Sequence, residues 1–379
     1  MLKLRRDSER KLQLGSKKLQ TGKGRVRVRK TTVVTANVLL ILAFAFFTSG
    51  QANAQSGTWS TKTSMPSDHY SFDSGVVNGI IYAVGGDSGS FNVGTMEAYD
   101  PALDAWTTKA PMPTARAALG VGVVNGTLYA VGGSSEVDGC GDLSVVEAYD
   151  PVANSWTTKA PMTTTQSHLG VGVVNGILYA VGGLTGNTVF CSGGPTVGTL
   201  QAYNPATNTW TTKTPMPTPR QSPLVEVVNG ILYVVGGFDA SFVNISTVEA
   251  YDPASDTWTT KASMPSARRQ AGGGVINGIL YVVGGINGSG LLTTDEAYDP
   301  ANDAWTEIAP MPTRRYGLSG NVVGNVLYAL GGANASGVLA TNEAFTVLPQ
   351  TKADCKNGGW QTFGFENQGQ CIKFVNHQS

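Results

Sequence analysis

This sequence predicts an all-β disc of six four-stranded blades, a β-propeller, on three observations. Trp59, Trp106, Trp156, Trp210, Trp258 and Trp305 recur at intervals of 47, 50, 54, 48 and 47 residues. A Gly-Gly pair begins 26 residues after each of them, at Gly85, Gly132, Gly182, Gly236, Gly284 and Gly331. Asn-Gly stands 19 residues after the first five (Asn78, Asn125, Asn175, Asn229, Asn277), and the last copy reverses it as Gly324-Asn325. A fixed period of about 50 residues is the signature of a repeat architecture.

Each copy reads as four short strands. Asn-Gly between two apolar runs marks a hairpin, because a type I′ turn needs positive φ at both central residues. A first strand therefore leads into the turn, and a second, such as residues 177–181, runs from it to Gly-Gly. A third strand carries Glu-Ala-Tyr, or Gln-Ala-Tyr in the third copy, with Tyr99, Tyr149, Tyr203, Tyr251 and Tyr298 each seven residues before the next Trp. That Trp begins the fourth. Four antiparallel strands per copy make one propeller blade. The ends complete a ring: the chain enters with a lone fourth strand at Thr58-Trp59-Ser60-Thr61 and finishes with Glu343-Ala344-Phe345, a third strand with no Trp after it. If the first segment completes the last blade, two open strand edges vanish together.

Gly-Gly after the second strand, the spaced Tyr and Trp, and Met-Pro after the fourth strand together resemble the kelch repeat over about residues 58–347. The resemblance implies a six-bladed propeller closed by a shared blade. It also implies ligand contact by polar residues around the channel mouth, as is common in kelch proteins.

Bulk composition limits the partners. Residues 1–30 hold 12 Lys/Arg and two acids, and residues 31–54 hold no charge, so residues 55–379 carry 14 basic and 24 acidic side chains. An acidic body lacks the basic footprint that phosphate contacts require, which argues against nucleic acid. The basic start, the apolar run at residues 38–47 and Ala52-Asn53-Ala54 read as an export signal cleaved after Ala54. The alternative is an uncleaved anchor with its basic arm in the cytoplasm, the one membrane attachment expected. Either way the body is extracytoplasmic, secreted or held in the cell envelope. The domains expected are thus residues 1–54, the propeller at 55–350, and a tail at 351–379.

A repeat allows scaffold residues to be subtracted by position. Glu97, Glu147, Glu249, Glu296 and Glu343 share one position and read as blade packing. What varies is the segment from Gly-Gly to Tyr (Phe345 in the last copy), which measures 14, 17, 21, 15, 14 and 14 residues. These loops leave one face of the disc, and loops on a rigid scaffold carry function. The longest span residues 184–197 and 134–143. Phe91, Phe190, Phe238 and Phe242 stand in such loops, either folded onto the blade tops or free for ligand contact.

The connections from fourth to first strand reach the same face near the central channel. Ten residues after each Trp stand His69, Arg116, Gln166, Arg220, Arg268 and Arg315. This cationic ring either pairs with neighbouring acids or receives an anionic ligand through bidentate contacts. Tyr70 and Tyr316, at the eleventh position, and His168, at the twelfth, break the repeat and are stronger candidates for a site.

No H-E-x-x-H, CxxC, G-x-S-x-G or phosphate-binding loop is present. The copper site of galactose oxidase, also a kelch propeller, needs two His, two Tyr and a cross-linked Cys in a motif this chain lacks. A sialic-acid mutarotase is another kelch propeller, but nothing here singles out its pocket. No catalytic residue, metal or cofactor is therefore assigned. Four cysteines in an exported chain read as two disulfides, Cys140–Cys191 between the long loops and Cys355–Cys371 in the tail, with other pairings or free thiols as the alternative. The tail, with Trp360, Phe363 and Phe365, resembles a Cys-bracketed C-terminal segment of exported bacterial proteins and reads as a small closed hairpin. The function expected is a non-enzymatic binding module engaging a protein or glycan, an anionic one included, through one loop face. The alternative is a small-molecule enzyme or receptor, mutarotase-like or otherwise carbohydrate-acting, at the channel mouth.

Overall fold

The structure, a computed structural model, describes residues 57–135, 141–186, 194–349, 351–356, 359–363 and 365–377. Six four-stranded antiparallel sheets form the blades, each running from an inner strand at the channel to an outer strand at the rim. Blade one is Asp73–Val77, Ile80–Val84, Met96–Asp100 and Ala105–Thr108. Blade six is Ser319–Val323, Val326–Leu330 and Asn342–Val347, completed at its rim by Gly57–Thr61 from the other end of the chain. The inner strands neighbour one another in sequence order, and blade six returns to blade one. The ring is closed as the two sequence ends predict.

The repeated residues explain why copies stack. Asn78 and Gly79 have φ of 51° and 80°, the left-handed pair that a type I′ hairpin requires. In the last copy Gly324 alone of its pair is left-handed, which is the II′ solution and accounts for the reversed order. The second glycine of each Gly-Gly donates its N–H to the carbonyl ten residues after its own blade's Trp, where the chain passes into the next blade, as in Gly86 to Arg116 at 2.9 Å. The last such bond, Gly332 to His69 at 2.7 Å, crosses the closing seam. A side chain does not fit here: a methyl on Gly85 would stand 2.7 Å from the Arg116 carbonyl oxygen.

Each Trp indole N–H donates to a carbonyl of the preceding blade. Trp106 reaches Thr63 at 2.8 Å, and Trp59 closes the belt on Ala309 at the same length. The Trp rings also lie against the Tyr of their own blade, with centroids 5.0–5.2 Å apart, and Trp59 lies 5.3 Å from Phe345. Between blades, Tyr, Val, Leu and Met side chains form six apolar clusters.

The tail departs from expectation. Cys355–Cys371 is bonded, but the segment between is helical, Gly359–Thr362 and Gln368–Asn376, not a hairpin. Asn367 caps the longer helix by accepting from the Gln370 N–H at 2.9 Å. Phe363 packs against the apolar cluster of blades five and six, so the tail is anchored on the seam side of the disc.

Candidate functional site

The channel mouth is built from residues in the left-handed region. Ser71, Ala118, His168, Ser222, Gln270 and Gly317, one per blade, have φ between 50° and 63°. Each donates its N–H to the carbonyl of its counterpart in the preceding blade, from Ala118 to Ser71 at 2.7 Å round to Ser71 to Gly317 at 2.8 Å. Six bonds form an unbroken backbone hoop. It satisfies main-chain groups that would otherwise be stranded at a buried rim, and it holds the residues beside it in fixed positions.

Beneath the loop face the arginine ring is occupied. Arg116, Arg220, Arg268 and Arg315 are at most 1% exposed and are paired with Glu147, Glu249, Glu296 and Glu343 at 2.5–2.8 Å. Arg220 also donates to the carbonyls of Thr218, Gly236 and Thr247. Burial pulls these guanidinium groups below their usual range, and the partner glutamates oppose it. Of the two readings the sequence left open, the paired one describes this geometry; none of the four guanidinium groups reaches the surface.

The exceptions follow the same logic. In blade three Gln166 replaces Arg and Gln201 replaces Glu, and the two amides bond at 2.5 Å. In blade one His69, 3% exposed, lies 3.9 Å from Glu97. Burial lowers its pKa to about 4, Asp68 opposing in part. His69 thus faces the blade interior rather than the mouth.

Three off-repeat side chains do stand at the mouth. Tyr70 and Tyr316 meet edge to face, with ring centroids 6.3 Å apart across the closing seam. The Tyr70 hydroxyl donates to Asp87 at 2.9 Å. His168 lies in the hoop, its pKa lowered to about 4 by burial and, secondarily, by the positive charge of Arg269. Phe91 and Phe242 are 60% and 76% exposed on the loop face, and Phe242 packs on Phe238 at 6.0 Å. Phe190, Cys140 and Cys191 lie outside the described residues.

Two features of the site were missed by sequence reasoning. The first is Arg269, next to the hoop in blade five. Its guanidinium carbon lies 4.1 Å from the Phe238 ring centroid, a cation–π arrangement. Arg269 enters no ion pair among the described residues, unlike its neighbour Arg268. It shares the eleventh position with Tyr70 and Tyr316, so the subtraction that found them would have found it. The second feature is the channel itself, a cavity of about 450 Å³. Its inner strands mostly carry glycine at their first and third positions, and Asp73, Leu224 and Ser319 at the first and Glu226 and Asn321 at the third break that pattern.

Asp73 accepts from the backbone N–H groups of Ser74 (2.8 Å) and Val121 (2.7 Å) and from the Ser319 hydroxyl (3.0 Å). Ser74 and Ser319 share a 2.7 Å bond, and the Asn321 amide donates to Ser74. This polar network ties blade six to blades one and two. Glu226 stands on the opposite wall, in blade four. Burial pushes Asp73 up to about 6, its hydrogen bonds opposing, and pushes Glu226 up to about 8, with repulsion from Asp73 adding to it. Among the described residues no cluster of three metal-ligating side chains occurs.

A model of the kelch-repeats domain of KLHDC2, KLHL20 and DRC7 matches residues 113–285 and 161–332, and a kelch-motif model matches residues 69–113. No curated protein matches the chain. A solved structure described as that of YjhT superposes with a TM-score of 0.66 at 17% identity, covering 76% of this chain and 98% of that one. That likeness concerns the fold.

Proposed function

The chain belongs to the kelch-repeat family, and from that premise we propose that it is an extracytoplasmic binding propeller that holds a carboxylate-bearing ligand at the channel mouth. The Cys355–Cys371 disulfide supports the compartment. Kelch-type propellers serve as interaction modules and as enzymes alike, so the reading rests on the site. The observation that carries it is Arg269. It is a half-buried cation with no anionic partner among the described residues, stacked on Phe238 beside the hoop. A planar guanidinium held from behind by an aromatic ring presents its donors as a fork, the geometry that recognises carboxylates. Tyr316 and His168 stand close enough to act electrostatically on it or be acted on by it. The acids inside the channel keep an anion at the rim.

Glucuronate and glucose form a matched pair of probes for thermal-shift and calorimetric titration. Glucuronate should raise the melting temperature of the wild type, glucose should not, and Arg269→Ala should weaken glucuronate at least tenfold. Glucuronate binding that is unchanged in Arg269→Ala would overturn the reading. A protein partner lost on Phe91→Ser plus Phe242→Ser but kept by Arg269→Ala would move recognition to the exposed loop aromatics.

A further inference from the structure

Below the hoop the channel has a chemistry of its own. Of the residues that line it, only Asp73, His168 and Glu226 titrate, and none is lysine or arginine. His168 is neutral near neutral pH because burial depresses it. The interior therefore holds two carboxyl groups and no cation. They face each other from blades one and four, three steps apart round a six-membered ring. Asp73 has three donors, whereas Glu226 has no hydrogen-bond partner among the described residues. A carboxyl group without donors or counter-ion in such a place is costly when charged.

The rest of the lining is shaped for more than a metal ion. Val76, Val123, Val173, Val227, Val275 and Val322 occupy one register position, two residues C-terminal to the Val121 level, and form an apolar collar. A cavity of about 450 Å³ falls within the roughly 300–1,000 Å³ of small-molecule sites. Opposed acids above a valine collar suit a positive head on a short apolar body.

We propose that the channel interior binds an organic ammonium ion, whose charge takes the place of the proton on Glu226. The proton passes from the Glu226 carboxyl to solvent buffer, and the carboxylate left behind pairs with the ammonium. Burial and Asp73 together keep Glu226 protonated at neutral pH when the channel holds no cation, and a cation there favours the ionised form. This site is separate from the mouth and stands or falls without Arg269.

n-Butylammonium chloride, with butan-1-ol as the neutral isostere, is the probe for calorimetry on the full propeller at pH 7 in phosphate and in HEPES. The two buffers differ in ionisation enthalpy, so the difference in heat counts protons. Saturable binding of butylammonium, release of up to about one proton per cation, and no binding of butanol are expected. Glu226→Gln should lose the proton release and weaken binding tenfold or more, while Val152→Ser, on an exposed turn of blade two, leaves both unchanged. Melting at pH 6, where Glu226 carries its proton in the wild type, checks that the Gln variant is folded. The proposal fails if butylammonium does not saturate, if butanol binds as well, or if Glu226→Gln retains affinity and proton release. Loss of both in Arg269→Ala would also sink it, by making the mouth and the channel one site.

Discussion

Under the loop face each blade carries one pair of polar side chains that must be satisfied together. Arg220 with Glu249 is the charged form, and Gln166 with Gln201 is the neutral form in the same place. Removing one member of a buried ion pair strands the other, at a cost of about 3–5 kcal/mol, whereas replacing both can be near neutral. Arg220→Ala should therefore lose about 3–5 kcal/mol in urea unfolding. Arg220→Gln combined with Glu249→Gln, which copies blade three, should recover most of it. The pair was half legible: the sequence shows Gln at both positions of the third copy, but only contact between them reveals that the changes compensate. Acid and base respond in opposite senses. His69 and His168 are depressed to about 4, so the unfolded chain binds the extra protons as pH falls from about 6.5 toward 4, and stability declines over that window. Glu226 is raised to about 8, so the folded chain holds the extra proton, and stability declines as pH rises from about 4.5 through 8. Asp73 and Asp295, raised to about 6 by burial, add to the second sense, so the groups are read by difference: against the wild type, melting temperature should fall less toward pH 4 in His69→Gln and less toward pH 8 in Glu226→Gln.

At the scale of the element, two kinds of glycine do different work. Gly278, in an Asn-Gly turn, has φ of 80° and nothing near a methyl group. Gly236, in a Gly-Gly pair, has φ of 63°, and its methyl would stand 2.5 Å from the Arg268 carbonyl oxygen. Gly278→Ala should cost about 1–2 kcal/mol, the left-handed penalty alone. Gly236→Ala adds a backbone clash and should cost more than Gly278→Ala, read from the two urea midpoints. The sequence marks both as turn glycines. That one set is fixed by local φ and the other by a neighbouring blade appears only when the blades are stacked.

For the whole molecule, closure is the decisive contact. The segment Gly57–Thr61 pairs with Asn342–Val347, and Trp59 packs on Phe345 while donating to Ala309. Cleavage after Ala54, the expectation for residues 1–54, would leave this strand whole. A chain shortened through Thr61 should expose the edge of Asn342–Val347 and unfold at lower urea than one beginning at Gln55, with oligomers on gel filtration.

The period of the tryptophans, the turn chemistry and the unmatched ends determined six blades and their closure, because each is local or repeats in register. The subtraction of that period also reached Tyr70, Tyr316 and His168, which stand at the mouth. It did not separate buried Arg268 from half-buried Arg269, adjacent in the chain and opposite in role, since burial depends on which blade lies alongside. Nor did it bring Asp73 opposite Glu226, 153 positions apart in sequence. Their meeting across the channel comes from the ring, and the ring is a property of all six copies at once.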